Sequence, residues 1–231
     1  MAIVLAVVLV VALLTAWVAG AGSTPSQGVP GSTDATRLGP APGESVTGYL
    51  ARAAVVPPGP AGPRPALVQF AVEQNLPGAA AAVAGTGATA REAVFRVPLP
   101  RVQTALRGVS LDATGTVDPV AALRLAEARA GNQAGEQART SSGRPAAVAA
   151  AESARLSAGC ACVVALVVET DPAALPALRA RPGVRAVEVA PHGARIGALA
   201  VSPLLPEQTD DGRDPPETVG PVPDDGPVPA G

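Results

Sequence analysis

The residues of this chain best suited to chemistry are two cysteines, Cys160 and Cys162, and a single histidine, His192. On an extended strand the Cα atoms of residues i and i+2 lie about 6.5–7 Å apart, whereas a disulfide needs about 4.4–6.8 Å. A bond between the two cysteines therefore requires a bend, which the preceding Gly159 permits. Three interpretations stay open: buried unreactive thiols, a structural disulfide, and a redox or soft-metal pair.

The single histidine gives little support to catalysis. His192 follows a predicted strand, and Cys160 begins the predicted strand beside it. If these strands run parallel, the two residues lie at opposite ends, so we expect neither a Cys–His nor a Ser–His pair. One histidine and two cysteines also exclude a multi-histidine metal site and a four-ligand zinc site. We therefore expect no enzyme, no catalytic residues, no metal site and no cofactor.

Charged side chains form two further groups. Arg179, Arg181 and Arg185 are a candidate interaction patch for an anionic partner or for the acidic tail of the chain itself, and the alternative is a solvated helix end. The paired carboxylates Asp210-Asp211 and Asp224-Asp225 lack the loop glycine and the ligand spacing of a calcium site. The net charge of −2 and the aromatic content of 2% argue against nucleic acid as a partner.

A membrane segment is predicted at the N-terminus. Ala2–Gly20 is uncharged, and as a helix it would span about 29 Å, close to the hydrocarbon thickness of a bilayer. Ala19-Gly20-Ala21 also fits the cleavage site of a signal peptide, but no Lys or Arg precedes the apolar run, and the run is longer than usual for such a peptide. We expect a single-pass cell-membrane protein anchored in the lipid bilayer through residues 2–20, with its C-terminal domain extracytoplasmic.

Two segments are so rich in Pro, Gly and charged residues that we expect them to form no hydrophobic core. Residues 23–65 hold nine Pro and seven Gly and are predicted to be a linker, interrupted by a short helix near Ser45–Val56 that docks weakly or carries a binding motif. Residues 203–231 hold eight Pro and seven acidic residues against one Arg and are predicted to be a disordered tail. A domain of residues 66–202 remains between the anchor and linker (1–22, 23–65) and the tail.

Hydrophobic patterns and helix caps divide this domain into elements. The predicted strands are 66–74, 93–97, 160–170 and 184–190. The predicted helices are 76–84, 118–139 and 145–158, with a shorter one from 172, and residues 101–113 fit a helix or a strand. The fold class is therefore α+β, with two β-α-β units joined in a ferredoxin-like sheet and a helical hairpin inserted between them.

Several segments resemble known families. FRVPLPRVQTAL (95–106), GCACVVALVV (159–168), RPGVRAVEVAP (181–191) and SPLLPEQT (202–209), behind an N-terminal apolar segment, resemble a family of uncharacterised membrane-anchored proteins of high-GC actinobacteria. Residues 162–191 are similar to the second half of subtilisin propeptide-like inhibitor domains. The first resemblance implies no known activity, the second implies a protease inhibitor or chaperone, and neither implies a catalytic residue.

We therefore expect a membrane protein that presents an extracytoplasmic α+β domain for protein–protein interaction or envelope organisation. Two alternatives come from different observations. The first is a propeptide-like protease inhibitor or chaperone, and the second is a thiol-redox or metal-binding module that uses Cys160 and Cys162.

Overall fold

The prediction of an α+β protein is confirmed. The computed structural model describes residues 35–111, 118–209 and 218–229. Their elements are, in chain order, β1 (Thr36–Leu38), α1 (Val46–Ala54), β2 (Arg64–Gln74), α2 (Leu76–Val83), β3 (Thr89–Phe95), β4 (Arg107–Ser110), α3 (Pro119–Thr140), α4 (Gly143–Ala158), β5 (Val163–Thr170), α5 (Leu175–Arg179), β6 (Val184–Val189) and β7 (Leu199–Val201). Short 3₁₀ turns at Pro172–Ala174 and Ile196–Ala198 precede α5 and β7.

Five of the described strands form an antiparallel sheet in the order β4-β3-β5-β2-β6. β2-α2-β3 and β5-α5-β6 are β-α-β units, and their first strands pair in the centre of the sheet, with Leu67 opposite Val167. The second strand of each unit flanks the other unit's first strand, so Ala93 lies opposite Leu166 and Ala66 opposite Val189. Central strands covered on both faces are almost continuously apolar, which explains the run of buried valines in β5.

Proline and polar caps begin the helices on the first face of the sheet. The Asn75 side chain accepts a hydrogen bond from the backbone N–H of Gly78 at 2.8 Å, and Asp118 caps α3 in the same way through Val120 at 3.2 Å. Side chains from α2, α3, α4 and α5 pack with alternate strand residues in one large core that includes Phe70, Phe95 and Leu166. This face therefore holds most of the buried apolar surface of the described residues.

Helices α3 and α4 form the predicted hairpin between β4 and β5. Gly131 lies where they cross, and a Cβ there would reach within 3.5 Å of the Leu156 side chain. Ser153 Oγ donates to the Gly131 carbonyl at 3.0 Å. The absent side chain lets the two alanine-rich helices pack closely, although a glycine within a helix costs about 1 kcal/mol relative to alanine.

The second face of the sheet is covered by β1, α1 and the segment after β7, which lie outside the predicted domain of residues 66–202, and by β7 at the end of that domain. β1 pairs with β7 in a parallel two-stranded sheet, and Leu38 packs over strand residues such as Leu67, Val94 and Val167. Beside them, the buried side chains of α1 contact Leu204. The short helix predicted near Ser45–Val56 is confirmed as α1, with Ser45 as its cap. The linker prediction is wrong for residues 35–44, and the prediction of a disordered tail is wrong for residues 203–209 and 218–229.

Other sequence predictions have mixed outcomes. Helix and strand were both predicted for residues 101–113; of these, residues 101–111 are described, and they form an irregular loop followed by β4, which pairs with β3 through Val109 opposite Ala93. The apolar segment Ala2–Gly20 lies outside the described residues. Within residues 35–111, 118–209 and 218–229, no helix combines the length and the apolar character that crossing a bilayer requires.

Candidate interaction groove

The structure joins Cys160 and Cys162 by a disulfide, with their Cα atoms 5.3 Å apart. The predicted strand began at Cys160, but β5 begins only at Val163, and the preceding residues form a bend. Gly159 ends α4 with a φ of +78°, a conformation that favours glycine. This bend brings the two Cα atoms within the range for a disulfide, which a regular strand would exceed.

The two sulfur-bearing residues differ in their surroundings. Cys162 is fully buried, whereas Cys160 is partly exposed. The backbone N–H of Cys160 donates to Glu127 Oε1 at 3.3 Å, and burial raises the pKa of this carboxyl group. No cluster of three or more His, Cys, Asp or Glu residues in the described part of the chain has the arrangement of a metal site.

His192 lies far from the disulfide. β2 separates β5 from β6, with Gln74 opposite Val163 at one end and Ala66 opposite Val189 at the other. The disulfide precedes β5 and the exposed His192 follows β6, so they stand at opposite ends of the sheet. At about 3.3 Å per residue, the eight-residue offset along β2 separates them by more than 20 Å, and they form no catalytic pair.

The three arginines of the predicted interaction patch bind carbonyl groups of their own chain, and Arg185 binds the predicted tail; binding of an anionic partner by this patch stays a prediction. Arg179 reaches the end of α1 and Arg181 the end of α2, where the last helical carbonyls lack partners. Arg185 binds the segment after β7. The acceptors are the carbonyls of Ala54 (3.0 Å) and Val187 (3.3 Å) for Arg179, of Ala84 for Arg181, and of Leu205 (3.1 Å) and Gln208 (2.6 Å) for Arg185.

A groove of about 430 Å³ lies between the loop after β3 and the C-terminal segments. Prolines and aliphatic side chains form most of its walls, and four charged residues lie among them. Its lining consists of Glu73, Arg96, Pro98, Leu99, Pro100, Arg101, Pro206, Glu207, Val222 and Pro223. Apolar walls with a few placed charges are typical of binding sites.

The floor of the groove is a nearly buried arginine. Arg96 is 3% exposed, and its guanidinium forms an ion pair with Glu207 at 2.6 Å. The backbone N–H of Arg96 donates to the Cys162 carbonyl at 2.8 Å, which ties the floor to the disulfide loop. Because the charge of Arg96 is balanced by the segment after β7, this segment is part of the groove.

The wall beside Arg96 contains a residue in an uncommon conformation. Arg101 has a φ of +55° and is the only non-glycine with positive φ among the described residues. The loop around it is fixed by two bonds, from Val102 N–H to the Leu99 carbonyl at 3.2 Å and from Thr104 Oγ1 to the Val97 carbonyl at 2.7 Å. Such strained residues concentrate at functional sites, so this wall is a candidate for binding.

A buried polar network holds α1 against the second face of the sheet. Glu188 accepts hydrogen bonds from Tyr49 Oη (3.0 Å) and the Gly39 N–H (2.6 Å), and it pairs with Arg52 at 2.7 Å. Gln69 donates to Tyr49 Oη and accepts from the Leu204 N–H at 2.7 Å. Burial raises the pKa of Tyr49 and so keeps its hydroxyl protonated, which suits a structural role.

Sequence reasoning missed the groove. Arg96 and Glu207 are far apart in the chain, so their pairing could not be predicted. The pattern of residues 101–113 fits a helix or a strand, so no loop was predicted at Arg101. Two signals were present in the sequence. Pro98 and Pro100 predict an irregular segment, and the tripeptide Asp-Asp-Gly occurs twice in the tail.

No protein-family model, curated protein or solved structure matches this chain significantly. The resemblances drawn from the sequence, to membrane-anchored actinobacterial proteins and to propeptide-like inhibitors, therefore stay predictions.

Proposed function

We propose that this chain is a single-pass membrane protein that presents a non-enzymatic interaction domain outside the cell membrane. In this proposal residues 2–20 are the anchor, and the two β-α-β units form a ferredoxin-like domain with an inserted helical hairpin. The groove at Arg101 is its binding surface. The disulfide supports an oxidising compartment, because such bonds persist outside the cytoplasm.

The observation that carries the interaction role is the groove with the strained Arg101 in its wall. Three of the four charged residues in its lining are paired: Arg96 with Glu207, and Arg101 with Asp225. Paired charges fix the shape and polarity of a surface. Proton transfer instead calls for a group with a tuned pKa and a free position near the reacting atom.

The location is tested by expressing the full chain in a bacterium with an epitope tag after Gly231. We expect the tag in the membrane fraction, and we expect protease added to intact spheroplasts to remove it. A chain that is soluble after cell breakage, or a tag protected until the membrane is lysed, would overturn the proposed location.

The role of the groove is tested by photo-crosslinking in the same cells. A photoreactive residue at the exposed Pro98 lies on the groove, and one at Leu125, which is 50% exposed on α3, is the matched control. We expect a discrete crosslinked protein from position 98 and none from position 125. Equal crosslinking from both positions would contradict a groove-specific partner.

A second candidate function is thiol–disulfide exchange at Cys160, and it is favoured by the partial exposure of this residue beside the buried Cys162. A disulfide that closes a loop of three residues stabilises the fold by only about 1.5 kcal/mol on chain-entropy grounds. Equilibration of the folded chain with glutathione redox buffers separates the roles. A redox pair is expected near −180 to −230 mV, and a value below about −300 mV would leave only a structural bond.

A further inference from the structure

The C-terminal residues 218–229, called the strap here, lie along the groove. Near one end, the Val219 N–H donates to the Glu44 carbonyl at 2.8 Å, and the Gly43 N–H donates to the Val219 carbonyl at 3.2 Å. Val222 and Pro223 then form part of the groove wall. The strap continues to the loop of Arg101, so a segment of this chain already occupies one side of the binding surface.

The strap is fixed at one place by a set of groups that we call the Asp-Asp-Gly seat: Arg101, the backbone N–H of Gln103, and Arg144. Arg101 holds Asp225 with two bonds, from Nε to Oδ1 at 2.7 Å and from Nη2 to Oδ2 at 2.5 Å. Arg144 and the Gln103 N–H both reach Asp224 Oδ1, at 2.8 and 3.1 Å. Such two-point pairing of guanidinium and carboxylate adds geometric specificity.

The third residue of the tripeptide must be glycine. The Gly226 N–H donates to the Arg101 carbonyl at 2.7 Å, which brings the two backbones close together. A Cβ on Gly226 would collide with the Pro100 carbonyl oxygen and lie 2.8 Å from the Arg101 carbonyl oxygen. Backbone atoms cannot turn aside as a long side chain can, so any larger residue is excluded from this position.

The ion pairs of the seat are exposed. The Arg101–Asp225 pair is 62% and 65% exposed, and the Arg144–Asp224 pair is 38% and 46% exposed. Exposed ion pairs contribute little net stability. Gly226 is the only fully buried residue described in the strap, and the strap's other packing comes from the partly buried Val219 and Val228, away from the seat's charges. The seat therefore combines high selectivity for its ligand with weak ion pairs. Such a site can exchange one bound segment for another.

The sequence repeats the ligand. Asp210-Asp211-Gly212 precedes the strap by a few residues and matches Asp224-Asp225-Gly226 in full. Each copy supplies the two carboxylates and the glycine that the seat contacts, so the chain carries two ligands of the same chemistry.

We infer that the Asp-Asp-Gly seat is a binding site for an extended acidic segment of another protein that carries this tripeptide, and that the strap is its internal placeholder. The inference rests on the proposed function, because it names the chemistry of the partner that the groove binds. The partner's two carboxylates replace those of Asp224 and Asp225, and its glycine takes the place of Gly226.

The test uses the full chain in mild detergent and a fluorescent peptide with the sequence of residues 219–229, VGPVPDDGPVP. The double substitution G212A and G226A keeps every charge but prevents both internal copies from entering the seat. We expect this variant to bind the peptide at least tenfold more tightly than the wild-type chain, in which the strap competes. Fluorescence anisotropy measures both affinities.

Three controls identify the site. Replacing the glycine of the peptide by alanine is expected to reduce its affinity at least tenfold. Adding R101Q and R144Q to the double variant is expected to do the same, whereas adding R139Q, at an arginine that is 70% exposed on α3 outside the seat, is expected to leave the affinity unchanged. Raising the salt concentration is expected to weaken binding, because the contacts are charged.

Several outcomes would overturn the inference. Equal affinity of the wild-type and G212A/G226A chains would show that the peptide does not use the seat, as would binding that survives R101Q and R144Q. A wild-type dimer that the peptide dissociates would identify the occupant as the tail of a second copy. None of these results depends on membrane location, so a failure here is distinguishable from a failure of the proposed location.

Discussion

Arg101 has a left-handed backbone conformation that favours glycine. A glycine at this position would lose the ion pair that the Arg101 side chain forms with Asp225. The left-handed conformation costs a non-glycine residue about 1–2 kcal/mol, and Arg101 has a φ of +55°. We expect R101G and R101A to lose the ion pair with Asp225 equally, but R101A also keeps the backbone strain. Urea unfolding should therefore find R101G the more stable variant by about 1 kcal/mol.

The control for this prediction is an arginine in a regular helix. Arg124 is exposed in α3, where alanine is favoured over glycine by about 1 kcal/mol. R124A should therefore be more stable than R124G, the reverse of the order at position 101. The same order at both positions would mean that the conformation of Arg101 carries no strain.

Glu127 gives the fold a pH dependence of defined sign. Burial raises the pKa of this carboxyl group above its unfolded value, so its contribution to stability is fully present below the unfolded pKa and is lost as the pH rises through the folded pKa. Glutamine keeps an oxygen to accept the Cys160 N–H and carries no charge. We expect E127Q to raise the melting temperature at pH 7 and to leave it unchanged at pH 4.

The matched control is E136Q, because Glu136 is exposed on the same helix and pairs only with Arg139 at its surface among the described contacts. Its melting temperature should differ little from that of the wild-type chain at pH 7, since exposed pairs contribute little. If E127Q lowered the melting temperature at pH 7, the charged form of Glu127 would be the favoured one, contrary to this assignment.

The candidate site could be predicted only where a local pattern decides the geometry. The Cys160–Cys162 disulfide was one of three interpretations, because the bend at Gly159 decides it and glycine permits many conformations. Arg179 and its neighbours were expected to face solvent, but a sequence does not reveal carbonyl groups that lie far along the chain. The positive φ of Arg101 could not be predicted, because arginine, unlike glycine, has no preference for this conformation.

Among the elements, α1 depends on an arginine from another helix. Arg179 Nη2 donates to the Ala54 carbonyl at 3.0 Å, and α1 ends at this residue. Methionine would keep most of the apolar stem of Arg179 and remove its donors. We expect R179M to lose about 1 kcal/mol of unfolding free energy and to speed amide hydrogen exchange in the last turn of α1.

R181M provides the comparison, since Arg181 donates to the Ala84 carbonyl just after α2. It should speed exchange at the end of α2 and leave α1 unchanged, while R179M does the opposite. Equal protection of α1 in both variants would show that its end is held by packing alone.

The elements themselves were predictable where caps and periodicity agreed. Asn75, Asp118 and Asp171 each cap a helix or turn that begins with a nearby proline, a local signal that needs no tertiary contact. β4 was not predictable in the same way, because its four residues become a strand by pairing with β3. Strand formation depends more strongly on context than helix formation.

At the scale of the whole molecule, residues 35–54 and 203–209 complete the fold. Leu38, Tyr49 and Leu204 are almost fully buried, yet each stands in a segment whose average composition predicts disorder. Single apolar residues among many Pro and Gly residues produce no periodic pattern. The helices on the first face of the sheet are therefore predictable from the sequence, whereas the packing of Leu38, α1 and Leu204 on the second face is not.

This arrangement predicts that residues 66–202 do not fold stably as a separate fragment. Removing the chain ends takes Leu38 off Leu67, Val94, Val164 and Val167, which are at most 2% exposed in the structure. It leaves β7 without its partner strand β1 as their remaining cover. Burying one such side chain contributes about 1.5–3 kcal/mol, so the four together approach the whole stability of a typical domain, about 5–15 kcal/mol. Residues 35–229, which include both covering segments, are expected to unfold cooperatively.

Circular dichroism during urea unfolding and binding of a hydrophobic dye distinguish the two fragments. Residues 66–202 should bind the dye strongly and unfold without a sharp transition, as expected when specific packing is lost. Residues 35–229 should bind little dye and unfold in one sharp transition. A third fragment, 66–209, restores Leu204 and the rest of the segment after β7 but not β1 or α1, and its dye binding and urea transition should lie between those of the other two. If residues 66–202 unfolded as sharply and at the same urea concentration as residues 35–229, the chain ends would be dispensable appendages, and the second face of the sheet would not need its cover.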